Sequence, residues 1–140
     1  MMVVGPEHAL AQLATSLAFA DAGANPSRIY LYADAAVATG AAPTASPLAE
    51  IGLAKPCGTI AGGVLTLHPA DSAGALVLVT GIPRAARWVS GDDMLVSAGT
   101  VTDMTHPGDF RVGGGTTAAG DDSPTLYAGG LVLLGDVVLD

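Results

Sequence analysis

Aromatic and charged side chains are scarce in this sequence, at 4% and 13% of 140 residues, while 50% are hydrophobic. With one Trp, three Tyr and two Phe, the core has to be filled by Val, Leu, Ile and Ala. A base-stacking or sugar-binding surface, which displays several aromatics, has little to draw on. Bases are scarcer still: five Lys and Arg face thirteen Asp and Glu, a formal net charge of −8. Arg28, Lys55, Arg84, Arg87 and Arg111 are scattered, whereas phosphate backbones are bound by clustered cations. Neither nucleic acid nor an anionic membrane is therefore an expected partner. The single cysteine, Cys57, excludes an intrachain disulfide and a Cys-based zinc site. With no His beside it, Cys57 reads as a small half-buried hydrophobe rather than a reactive thiolate. No run is apolar for long enough to cross a bilayer. The N-terminus lacks the basic-then-apolar order of a secretory signal, so a cytoplasm-like compartment is the expectation.

What is abundant is turn material, nineteen Gly and nine Pro, which suits a multi-stranded antiparallel protein. The length fits one domain over residues 1–140, with a helical segment at 1–25 and a β body at 26–140. Gly5-Pro6-Glu7 is a helix start. Leu10, Leu13, Ala14, Leu17 and Ala18 follow at helical spacing, predicting one helix within about residues 6–22. That stripe either docks on the sheet or binds a partner. Beyond Pro26, strand-like runs alternate with turns, beginning at Arg28–Ala33, Leu48–Leu53, Thr59–Ala61, Val64–His68 and Ala75–Thr80. Further runs cover Arg87–Ser90, Met94–Val101, Phe110–Val112 and Leu131–Leu139. In Leu131–Leu139 branched residues occupy successive positions, which predicts a strand covered on both faces, by the rest of the chain or by a second subunit. No long repeat and no strand–helix alternation is present. The expected fold class is all-β, a two-sheet sandwich of jelly-roll type with one short N-terminal α-helix.

Catalytic, cofactor and metal signatures are weak throughout, and the expected site list is empty for all three. Gly113-Gly114-Gly115-Thr116-Thr117-Ala118 formally matches a glycine fingerprint, but no amphipathic helix follows to meet a pyrophosphate. A mobile loop is the expectation there. Asp92-Asp93 and Asp121-Asp122 read as solvated turns, because a calcium loop needs acids at alternating positions. His8, His68 and His106 have no second ligand at metal spacing. No G-x-S-x-G anchors a hydrolase triad. Trp88 reads as core, and Tyr30 with Tyr32 forms the best small candidate for a contact surface.

The order of features carries a resemblance. A short Ala/Leu helix ends in Asp21-Ala22-Gly23-Ala24-Asn25-Pro26-Ser27 and leads to the strand Arg28-Ile29-Tyr30-Leu31-Tyr32. Then come Pro47-Leu48-Ala49-Glu50-Ile51, Lys55-Pro56-Cys57, Gly62-Gly63-Val64-Leu65-Thr66-Leu67 and Ala85-Ala86-Arg87-Trp88-Val89, with an apolar strand at the C-terminal end. Over nearly its whole length the chain resembles the jelly-roll capsid cement, or decoration, proteins of tailed bacteriophages such as a Bordetella phage. The resemblance implies a non-enzymatic structural protein that dimerises on the outer surface of the virion. There it would clamp neighbouring subunits of the major capsid protein, after assembly in the host cytoplasm. Neither a small-molecule substrate nor a cofactor is implied. The competing expectation is a tail-tip or fibre module that binds a host receptor.

Overall fold

Pro6 opens the one α-helix of the computed structural model, which describes residues 5–139. In helix α1 (Pro6–Ala20), Pro sits where its missing N–H costs nothing, and Glu7 lies in the first turn where the helix dipole favours an acid. Leu13 and Ala20 are buried and Leu17 packs against the core, but Leu10 and Phe19 remain exposed. The stripe thus docks on the sheet along a narrower line than expected, against β2, β3 and β6. Asp21 closes the helix and its carboxylate accepts from the Cys57 backbone N–H at 2.9 Å, pinning the helix end to β2.

The strands are β1 (Arg28–Tyr32), β2 (Ala49–Ala61), β3 (Val64–Pro69), β4 (Ala75–Leu76), β5 (Ala85–Val89), β6 (Leu95–Thr102), β7 (Phe110–Gly113), β8 (Leu131–Leu134) and β9 (Val138–Leu139). They join in one nine-stranded sheet of order β4-β8-β7-β6-β5-β1-β2-β3-β9. All the pairings are antiparallel except β6 with β7, which run parallel through Val101–Phe110 and Thr102–Arg111. The sheet curls until its β4 end meets β2. An Ala49–Val77 bridge and a Leu78 N–H donating to the Leu48 carbonyl at 2.8 Å make the join. The strands from β4 round to β2 thereby close into a ring, and β3 with β9 continues from the far half of β2. Mostly β with one helix is what the turn-rich sequence predicted. The strands form one hydrogen-bonded sheet, and the parallel β6–β7 pair was not expected.

The ring interior takes alternate residues of each strand, as the period of 2 requires. Ile29 and Leu31 of β1, Ala49, Ile51 and Leu53 of β2, and Trp88 of β5 are all buried there. Trp88 Nε1 donates to Ser27 Oγ at 3.4 Å. The polar turn after β5 wedges under the helix exit, where the Gly91 N–H donates to the Ala20 carbonyl. A Cβ on Gly91 would stand 2.0 Å from the Asn25 carbonyl oxygen, so only glycine fits.

Three expectations need correction. Leu131–Leu139 is not one strand covered on both faces. It breaks at Gly135–Val137 into β8 and β9, and β8 alternates, with Val132 at 0% exposure beside Leu131 at 51% and Leu133 at 41%. The side chains of Val138 and Leu139 lie outside the described part. Leu48–Leu53 and Thr59–Ala61 are one long strand, β2, irregular between Leu53 and Gly58. Ala75–Thr80 is regular only over Ala75–Leu76.

Candidate functional site

Most of the polar chemistry gathers where β6 ends, against the loop before β8. Asp103 follows β6 directly. Its Oδ1 accepts from the backbone N–H groups of Thr105 and His106 at 3.0 and 3.1 Å and lies 2.7 Å from His106 Nδ1. Its Oδ2 accepts from Thr117 Oγ1 at 2.7 Å, and its own N–H donates to the Asp122 carbonyl at 2.7 Å. Beside it the Arg84 guanidinium grips Asp121 with two hydrogen bonds, of 2.7 and 2.9 Å. Such two-pronged pairs fix geometry as well as charge.

The Thr117 hydroxyl and the His106 ring hold the Asp103 carboxyl well below the usual range, and the same contact with Asp103 raises His106. The Arg84 fork lowers Asp121 in the same way. Thr105 and Thr117 both donate their hydroxyls to Asp103. The network therefore stitches two loops together rather than activating either oxygen. Among the described residues, no three His, Cys, Asp or Glu side chains stand where they could share a metal ion.

The other sequence candidates are dispersed. His8 is exposed on α1, and His68 Nε2 lies 3.0 Å from Thr59 Oγ1 at the end of β3. Cys57 is buried, and burial pushes its thiol up to about 11, the opposite of what a nucleophile needs. Asp93 pairs with Arg28, which also reaches Glu50 at 3.3 Å.

Two further sequence candidates, the Tyr30/Tyr32 face and the Gly113–Ala118 loop, are both tied into the fold. The Tyr30/Tyr32 face is roofed by a short 3-10 helix (Ala35–Thr39) whose Val37 packs on Tyr32, so Tyr32 is buried. Gly113–Ala118 is not a loose loop. Thr116 bridges Thr125, and a Cβ on Gly114 or Gly115 would lie 2.1 Å from the Leu131 or Thr125 carbonyl oxygen. The glycines are there because backbone passes close to backbone.

Periodicity also missed an apolar face on the surface. Residues 72–83 and 123–135 carry no charged side chain, and folding lays them side by side. Ala75 pairs with Val132 and Leu76 with Leu131, and Val77 exchanges hydrogen bonds of 2.9 Å with Gly129 and Gly130. Further along, Gly81 and Leu126 exchange a reciprocal pair of bonds. Leu76, Leu78, Val79, Tyr127, Leu131 and Leu133 of these two segments are exposed large hydrophobics. The signal was in the sequence, as two uncharged stretches in an acid-rich chain, but uncharged apolar runs look the same whether they face a core or a partner. The chain matches no protein-family model, no curated protein and no solved structure in the comparisons made.

Proposed function

We propose that this is a structural virion protein that decorates and stabilises a phage capsid by binding the outer surface of the major capsid protein shell. The observation that carries the reading is the uncharged, apolar β4–β8 face on an acidic chain, which marks the protein as one that assembles with other subunits. Contiguous exposed apolar patches of several hundred Å2 mark interaction sites, and the polar cluster at Asp103 and Arg84 serves to order loops. The resemblance in feature order supplies the partner, the major capsid protein, and a homodimer as the decorating unit. We read the curled sheet as a derivative of the jelly roll, its two layers continuous around the ring.

The test is to strip decoration from capsids and add the purified chain back. Saturable re-binding to emptied capsids with a gain in their heat resistance is the expected result. Adhesion to host cells without capsid binding would overturn it in favour of a tail-tip or fibre module.

A further inference from the structure

We infer that the uncharged β4–β8 face is where two copies of this chain meet, so that each copy covers the other's exposed leucines. The inference concerns which surface pairs, and it stands whether or not the pair then sits on a capsid.

The argument begins with charge. The chain carries −8, so two copies brought together at random repel one another. Residues 72–83 and 123–135 are two long uncharged segments that folding puts next to each other, with large apolar side chains left outside. An interface centred on Leu76, Leu131 and Leu133 puts leucine against leucine and leaves Glu50 and Asp71, which line the adjoining groove, at its rim. A partner of different sequence could instead offer bases to the acidic remainder of the surface. A second copy, with only five bases of its own, has little to offer there. Charge complementarity thus separates the two: the acidic surface suits a basic partner, and the neutral face suits a like-charged one.

The geometry of the face agrees. Leu76 and Leu131 are opposed across β4 and β8 and so project to the same side of the sheet. Leu133 is two residues on along β8 and shares that side. Val132 and Val77, between them, point into the ring and are buried, so the outer leucines stand on a fixed base. Leu76, Leu131 and Leu133 are 54%, 51% and 41% exposed on this one side, an apolar centre around which an interface of the standard ~800 Å2 per partner can form. Gly129 and Gly130 add backbone without side-chain bulk beside them.

Sedimentation equilibrium at about 100 µM, tight enough to reveal a micromolar pair, tests this on the full chain. We expect the wild type and Leu10→Glu, a change on the exposed side of α1, to be dimers. Leu76→Glu and Leu131→Glu should be folded monomers, with dimer dissociation constants raised at least ~100-fold. Leu131→Thr, whose β-branched side chain suits a strand, should weaken pairing while holding the wild-type fold by circular dichroism. A monomeric wild type, or face variants that pair as tightly as the wild type, overturns the inference. A monomeric wild type whose capsid binding is abolished by Leu131→Glu would assign the face to the shell instead. A wild-type dimer that ignores emptied capsids would remove the decoration reading and leave this one standing.

Discussion

His106 Nδ1 lies 2.7 Å from Asp103 Oδ1, and Thr117 donates to the other oxygen of the same carboxylate at 2.7 Å. One acid thereby ties its own turn to the loop that precedes β8. His106 is raised by Asp103, with Asp121 and Asp122 adding in the same sense. Its contribution is full below the unfolded value of about 6.5 and is lost as pH rises through the folded one. Asp103 is lowered, so its contribution is full above the unfolded value of about 3.9 and is lost as pH falls. Urea midpoints should therefore be highest between about pH 4 and 6.5. His106→Gln should flatten the alkaline limb and reduce, without abolishing, the acid limb, which Thr117 and Thr105 also sustain.

Val132 is fully buried and its neighbour Leu133 is not. Val132→Asp should cost about 4 kcal/mol or more through an unpaired buried charge. Measured dilute enough for the chain to be unpaired, Leu133→Asp should stay within about 1 kcal/mol. Denaturant titration of the two variants checks the alternation of β8 directly, since equal losses would mean both faces are covered.

Glycine substitutions should split by position. Gly91→Ala forces a Cβ against the Asn25 carbonyl and should cost about 1–3 kcal/mol by overpacking. Gly52→Ala meets nothing within 4 Å and should be neutral or gain up to about 1 kcal/mol by restricting the unfolded chain. Thermal melts of both variants against the wild type provide the comparison.

Attachment to the shell, if it depends on apolar and backbone contacts, should survive salt. At about 1 M, charges are screened beyond ~3 Å, so decorated capsids washed at that strength should keep their complement of this protein. Release by salt alone would show that ion pairs hold it.

The helix was legible because Pro6, Glu7 and Leu13 are local signals, and α1 spans Pro6–Ala20 as these predict. Strand positions followed from alternation in Arg28–Tyr32 and Ala49–Leu53, where one side meets the core. Which strand lies beside which was not legible, since β1 between β2 and β5 is set by packing that no short window contains. The Asp103–His106 pair is close in sequence, but its anchor Thr117 is not. Arg84 and Asp121 are likewise far apart in the chain and meet only in the fold. The outward leucines of β4 and β8 misled because hydrophobicity reports the wish to leave water and not which surface grants it.

The closed ring has a consequence for synthesis. β8 is the last strand of the ring in chain order, yet it sits between β4 and β7. Until Leu131–Leu134 has left the ribosome, both of those strands keep an unpaired edge, and the nascent chain presents two open seams. Such edges recruit other chains. Chains cut short before Leu131 should therefore go to aggregates rather than to smaller soluble forms, and the full-length polypeptide should fold as one late, all-or-none event.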